Sequence, residues 1–323
     1  MSLQTIYVTR HGPVNYLLTG LKYPLLQFRS NWVVDAKTGE YSASIPSPTG
    51  IASDPALAGK GVEQSHELAA HLKTLSPPIE RFYSSPFYRC IQTILPAVEA
   101  IASTTSDPET KKIRGENGIG EWYGMARFDH PSPAEPQLLK SLFPRYDLEY
   151  TPIIKPSVNG ETIKELHDRT AYALHRIIEQ SDKEGVKAIV ICTHAATLIA
   201  VGRALTGRMP EDIEEEDFRP FTCGLTTFTR ASGGKSEESE LGEWEGPGSE
   251  IPVVNWREGN GVGGGWKLGK SGDCSFLSGG EERGWRFSGD ESFIAAPGQA
   301  TELDAGSGLG VIIEGKKPGS PRL

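Results

Sequence analysis

Apolar positions along the chain alternate between short unbroken runs and helix-spaced stripes. Residues 5–9, Thr-Ile-Tyr-Val-Thr, are β-branched and aromatic and read as a strand that stops at Arg10-His11-Gly12-Pro13. Residues 13–59 carry many Pro, Gly and Ser and predict an irregular stretch, with an apolar patch over 16–28. From Gly61 onward, Val62, Leu68, Ala69, Leu72 and Leu75 fall at helical spacing until Pro77-Pro78. Residues 81–84 predict a second strand. Pro86 then opens a helix carrying Arg89, Ile91, Ile94, Val98 and Ile101, and Pro96 inside it predicts a kink. Residues 105–160 are loop-rich, with a helical piece over 137–142. The strongest helix covers 162–180, where Ile163, Leu166, Thr170, Leu174, Ile177 and Ile178 define one face and Thr162 with Glu165 makes a capping box. Residues 188–192 are wholly apolar, the mark of a strand buried on both faces, and a helix over 195–205 follows, ended by Gly207.

This order predicts an α/β layered fold with a mainly parallel sheet in residues 1–230. Ligands in such folds bind beyond the carboxyl ends of the strands. His11, Arg89 and His194 each follow one of the three predicted strands, so three loops can converge on one pocket. Beyond residue 230 the pattern fades. Residues 231–265 are dominated by Gly, Ser and Glu and predict a flexible linker. Trp266, Leu268, Phe276, Leu277, Trp285 and Phe287, separated by Gly and Asp, predict a small C-terminal β-hairpin over 266–290. It is too small to fold alone and is expected to dock on the main domain or on a partner. Residues 291–323 are expected to form a mobile tail.

Composition narrows the classes. A net charge of −9 over 323 residues makes the chain a poor general binder of nucleic acid, and no motif for direct sequence-specific reading is visible. The run Glu211, Asp212, Glu214, Glu215, Glu216 and Asp217 reads as a solvated surface segment. Cys90, Cys192, Cys223 and Cys274 form no CxxC pair, which disfavours structural zinc and suggests free thiols in a reducing compartment. The N-terminal residues lack a basic-then-apolar leader. The most apolar stretch, 188–205, is interrupted by Thr193, His194 and Arg203 and is too short and polar to span a bilayer. A cytoplasmic or nuclear location is expected.

Four elements carry chemistry. Arg10-His11-Gly12 follows a strand. Ser84-Ser85-Pro86-Phe87-Tyr88-Arg89 puts an arginine in the first turn of a helix, where anions are favoured and a guanidinium grips phosphate with paired bonds. Gly118-Ile119-Gly120-Glu121-Trp122-Tyr123-Gly124 surrounds a carboxyl group with glycines and aromatics, an environment that can raise its pKa and suit it to protonate a leaving oxygen. Thr193-His194-Ala195 takes a histidine from a buried strand into a helix. Each is ambiguous alone, since a lone His or Arg is as often structural. His66, His71, His130, His167 and His175 lie outside these motifs and read as structural or surface residues. Trp122, Tyr123 and Phe128 hint at an organic leaving group.

In this order, the four elements resemble the histidine phosphatase (phosphoglycerate mutase-like) superfamily. Asp54-Pro55-Ala56-Leu57 with Gly61 and Gln64, and Gly160-Glu161-Thr162 with Asp168-Arg169, resemble its auxiliary segments, and the likeness covers about residues 3–229. It implies a three-layer α/β/α fold and a metal-independent phosphomonoesterase with no cofactor. His11 would attack phosphorus, Arg10, Arg89 and His194 would bind the equatorial oxygens, and Glu121 would protonate the leaving group and then activate water. Pro13 stands where mutase-type members carry Glu, and Ala195 follows His194 where the acid phosphatase branch carries Asp.

A narrower resemblance is to fungal relatives of the tau subunit of the RNA polymerase III transcription factor TFIIIC, which read Arg-His-Gly, one aromatic, then Arg-Ser-Asn-Trp. Here Phe28-Arg29-Ser30-Asn31-Trp32 restores that pattern once residues 13–27 are removed, so 13–27 reads as an insertion or a retained intron. Arg29 and Asn31 would then be additional phosphate ligands. Trp266-Lys267-Leu268, Ser275-Phe276-Leu277 and Gly280-Glu281-Glu282 with Trp285 extend the likeness. It implies, as the alternative to catalysis, a scaffold subunit that meets a protein partner in a transcription complex through the C-terminal hairpin.

Overall fold

A computed structural model describes residues 2–14, 32–231, 241–289 and 311–313. Arg29, Asn31 and most of the proposed insertion lie outside them. In chain order the elements are β1 (Thr5–Arg10), β2 (Trp32–Val34), β3 (Tyr41–Ala43), α1 (Gly59–Leu72), β4 (Arg81–Ser84), α2 (Tyr88–Ala102), β5 (Ile113–Gly115), α3 (Pro136–Leu142), α4 (Ile163–Lys183), β6 (Ala188–Thr193), α5 (Ala195–Thr206), β7 (Leu225–Arg230), β8 (Trp266–Leu268), β9 (Gly284–Arg286) and β10 (Val311–Ile313).

The central sheet has the strand order β5-β4-β6-β1-β7-β8. Its first four strands are parallel, with Arg10 beside Thr193, Ser84 beside Cys192 and Ser84 beside Gly115, so their carboxyl ends are level. β7 and β8 close the other edge antiparallel. Alternate side chains of the buried strands feed opposite layers, as the two-residue strand period requires. Ile6, Val8, Ile189 and Ile191 pack with Leu174 and Ile178 of α4 and Leu198 and Val201 of α5. Tyr7, Val190 and Cys192 pack with Leu68 of α1 and Ile91, Ile94 and Val98 of α2. The sheet is thus mainly parallel and covered by helices on both faces. Thr162 and Glu165 form the expected reciprocal capping box, and α2 is continuous across Pro96. β7, Leu-Thr-Thr-Phe-Thr-Arg, escaped the sequence reading although Gly224 precedes it and Gly233-Gly234 follow, because only Leu225 and Phe228 in it are large and apolar.

The C-terminal region departs from the sequence expectation of a linker followed by a hairpin. Over 241–265 the chain is packed rather than free: Trp256 is 0% exposed, stacked near His167 with the Arg257 guanidinium 4.4 Å from its ring. Leu241, Trp244, Ile251 and Val254 lie against Ile154, Tyr172 and Ala173. Gly261 has φ +66° and approaches the chain so closely that an added Cβ would sit 2.4 Å from the Leu205 carbonyl oxygen, which explains part of the glycine content. β8 joins the main sheet, and β9 pairs with β10 from the expected tail, so β8 and β9 do not form one hairpin. The physical reason is burial. Trp256, Val262, Trp266, Trp285 and Phe287 belong to the core on the α4–α5 side, where apolar area leaves water that a two-stranded unit could not shield.

Candidate active site

The site forms where β1, β4, β5 and β6 end. The His11 N–H donates to the Thr193 carbonyl at 2.9 Å, Ser85 N–H to Cys192 at 2.9 Å and Glu116 N–H to Ser84 at 2.9 Å, so each loop is stitched to its neighbour just beyond the sheet. The Pro13 carbonyl accepts from Ala58 N–H at 2.9 Å, bringing the start of α1 against the His11 loop. Gly61 is needed there, because an added Cβ would lie 2.4 Å from the Pro13 oxygen.

His11 is buried, and its Nδ1 lies 2.8 Å from the Gly12 carbonyl oxygen. A carbonyl only accepts, so Nδ1 carries the proton and Nε2 keeps its lone pair. Its ring faces that of His194, centroids 5.2 Å apart. Burial, then Arg89, His194 and Arg10, push the His11 pKa well below its usual 6.5. The folded ring therefore stays neutral as pH falls through 6.5, while the unfolded ring takes up its proton there. We expect NMR titration of this imidazole to show no midpoint near 6.5, and the acid limb of kcat/KM owed to it to lie well below that pH. For this group alone the linkage costs folding stability as pH drops below 6.5. A ring that titrates at or above 6.5 would contradict the assignment.

Arg89 is buried, and its guanidinium is spent on four neighbours. Nη1 donates to the Ser53 carbonyl at 3.0 Å and meets Asp54 Oδ1 at 3.4 Å, while Nη2 donates to Glu121 Oε2 at 2.7 Å and lies 3.3 Å from His194 Nδ1. Asp54 is fully buried and also accepts from Tyr88 N–H at 3.0 Å, so it ties Arg89 to the first turn of its own helix. Burial raises the Asp54 pKa to about 6 against the opposing pull of Arg89. His194 Nδ1 lies 2.9 Å from Glu121 Oε2, and Nε2 lies 2.8 Å from Ser85 Oγ. Burial disfavours the imidazolium, but the Cys90 sulfur and the Glu121 carboxylate favour it more, and the His194 pKa is raised. Ser53, Ser85 and Asp54 were not assigned roles from the sequence. Asp54 stood in a segment already noted, but serines carry no spacing signal.

Glu121 corrects the expectation of a raised pKa. Burial would raise it, yet His194 and Arg89 hold the carboxyl well below the usual range. Its loop is pinned from three elements. Thr193 Oγ1 donates to the Ile119 carbonyl at 2.6 Å, Thr197 Oγ1 to Gly120 at 2.7 Å, and Arg169 Nη1 to Gly118 at 3.0 Å. Trp122 is turned into the core against Phe287, so of the three aromatics suspected of meeting an organic group it is withdrawn. Tyr123 and Phe128 instead surround His130, which stacks on Tyr123 at 4.7 Å and is held by Tyr41 and the Gly124 carbonyl.

Ligand-type atoms of His11, Glu121 and His194 lie within 4.8 Å of one another, a spacing that a metal ion could bridge. The donor set fits an anion better. Glu121 Oε2 already receives Arg89 and His194, His11 Nδ1 is committed to Gly12, and two guanidiniums repel a cation from the same point. Among the described residues no helix is long and apolar enough to cross a membrane. The four cysteines are free and buried.

The profile of the histidine phosphatase superfamily (branch 1) matches residues 39–242. The transcription factor tau 55 kDa subunit of Saccharomyces cerevisiae is 33% identical over 298 residues, covering 89% of this chain and 59% of that protein. The ecdysteroid-phosphate phosphatase of Drosophila melanogaster is 30% identical over 240 residues, covering 71% of this chain and 31% of that protein. The chain thus spans less than two thirds of either relative. The crystal structure of the ecdysone phosphate phosphatase of Bombyx mori in complex with tungstate superposes with a TM-score of 0.50 at 18% identity, covering 70% of this chain and 88% of that one, a likeness of fold alone.

Proposed function

We propose, since the chain belongs to the histidine phosphatase superfamily, that it is a metal-independent phosphomonoesterase working through a phosphohistidine at His11. One observation carries this reading: an imidazole whose Nδ1 is tied to the Gly12 carbonyl, which leaves the lone pair on Nε2, and whose ring lies 5.2 Å from that of His194 with Arg89 and Arg10 near enough to disfavour its charged form. The phosphoryl group would lie in that cup, where preorganised donors stabilise charge spread over its equatorial oxygens. Each charge-assisted hydrogen bond contributes about 1.5–3 kcal/mol.

Glu121 holds the donors that a phosphate needs. A phosphate dianion draws Arg89 and His194 to itself, and loss of those partners plus a neighbouring negative charge raises the Glu121 pKa, so the carboxyl gains a proton as substrate binds. His11 Nε2 then attacks phosphorus, the bond to the ester oxygen breaks, and Glu121 gives that oxygen its proton. Water attacks the phosphohistidine, Glu121 takes a proton from it, and inorganic phosphate leaves as the P–N bond breaks.

The test is hydrolysis of p-nitrophenyl phosphate in EDTA, with acid-stable and acid-labile phosphoenzyme measured after quenching. We expect turnover unaffected by the chelator and an acid-labile, base-stable label. Loss of turnover on chelation, or an acid-stable label, would remove the proposed chemistry.

A second reading has its own support. Similarity to the yeast tau subunit covers 89% of this chain, far more than the phosphatase profile's 39–242, and so includes C-terminal segments. The chain would then also act as a nuclear scaffold in a transcription complex, contacting a protein partner through 266–290. Failure to co-purify with other subunits of that factor from its own cells would count against this.

A further inference from the structure

Arg10 is oriented from the far end of the chain. Its Nη1 donates to two carbonyl oxygens, those of Pro220 at 2.9 Å and Arg283 at 2.6 Å. Nε is buried without a partner, and Nη2 makes no hydrogen bond among the described residues. In a guanidinium, Nε–H and Nη2–H lie along one edge, the edge that grips two oxygens of an anion side-on. Fixing Nη1 from outside therefore leaves that edge without a hydrogen-bond partner among the described residues. Burial, opposed by Glu121 and assisted by the nearby Arg283 charge, lowers the Arg10 pKa to about 10, so the group remains cationic at neutral pH.

The clamp is itself braced. The Thr222 N–H donates to the Glu282 carbonyl at 3.2 Å, and Cys223 N–H to the Arg10 carbonyl at 3.0 Å. Gln64 of α1 donates to Glu282 Oε2 at 2.7 Å, and Arg219 pairs with Glu281 at 2.9 Å. Arg283 takes a left-handed φ of +51°, which turns its carbonyl inward before β9 buries Trp285. The sequence predicts that 266–290 docks on the main domain or on a partner, but not that it reaches Arg10.

We propose that Arg283, through its backbone carbonyl, is a positioning residue for phosphate binding: the C-terminal segment aims the Nε–Nη2 edge of Arg10 into the cup. The inference rests on the phosphatase reading, since it assigns Arg10 to the phosphate. It makes the C-terminal segment part of the active site rather than an appendage to it.

Arg283→Gly keeps the left-handed turn, whereas Arg283→Val opposes it, because β-branched residues are outliers there. The readouts are inorganic phosphate affinity by calorimetry and KM for p-nitrophenyl phosphate. We expect Arg283→Val to weaken phosphate by about tenfold or more, and Arg283→Gly to stay within about twofold of wild type. In an Arg10→Lys background, Arg283→Val should add less than about twofold, since its effect passes through Arg10. Three results would each overturn the proposal: wild-type affinity in Arg283→Val, equal weakening in Arg283→Gly, or an undiminished effect beside Arg10→Lys. A wild type that binds phosphate without turning over ester removes the esterase reading alone, and the variant comparison still decides this one. A wild type that binds no phosphate sinks both.

Discussion

Replacing His11 by alanine is expected to lower turnover of an aryl phosphate by roughly 10⁴-fold or more, while inorganic phosphate still binds within about tenfold of wild type. The two halves have different causes. Turnover needs the Nε2 lone pair that the Gly12 carbonyl frees by holding Nδ1–H, and no neighbouring group can replace it. Binding depends mainly on charge, and Arg10, Arg89 and His194 remain. Their geometry does not rest on the His11 ring: Arg89 is anchored by Ser53 and Asp54, His194 by Ser85, and Arg10 by Pro220 and Arg283. Steady-state kinetics with phosphate as product inhibitor measures both. Full activity in the variant would move the nucleophile elsewhere. Inactivity of both proteins would leave the scaffold reading standing.

Arg169→Ala should give the largest loss of stability, about 3–5 kcal/mol. Both partners of its ion pair are withdrawn from water, Arg169 with a side-chain exposure of 0% and Glu161 of 5%. Arg169 Nε and Nη2 both meet Glu161 at 2.8 Å, and Nη1 reaches the Gly118 carbonyl at 3.0 Å. Alanine leaves a buried carboxylate and a carbonyl without donors, and that uncompensated burial, not the pair's net worth, sets the magnitude. Replacing both partners by apolar residues, as Glu161→Leu with Arg169→Met, should recover much of the loss. Urea unfolding of the single and double variants tests this; a loss under about 1 kcal/mol in the single variant would show that the network is slack. Because Gly118 lies three residues before Glu121, the single variant should also slow turnover.

Legibility followed locality. β1, β4 and β6, the helices that follow them and the capping box of α4 were visible because each is announced within a few residues by periodicity, Pro, Gly or a cap. His11, Arg89 and His194 could be brought together on paper because parallel strands end level and their loops share one edge. β7 was missed, and so were the anchoring contacts of Ser53, Ser85 and Asp54 to Arg89 and His194, whose partners lie dozens of residues away. The Gly-rich stretch misled for a related reason. Glycine marks a free linker and a chain pressed tightly on its neighbours equally well, and contacts such as Leu205 against Gly261 and the burial of Trp256 distinguish them.

By itself, the sequence determined an α/β chain with its candidate site residues at the ends of parallel strands, since turn chemistry and hydrophobic period act locally. The tertiary structure alone decided that Glu121 rests as a paired carboxylate, that Trp256 lies in the core, and that a carbonyl near the end of the described chain steers Arg10. Charge state and orientation depend on distances between groups remote in sequence, and those distances exist only once the layers have closed.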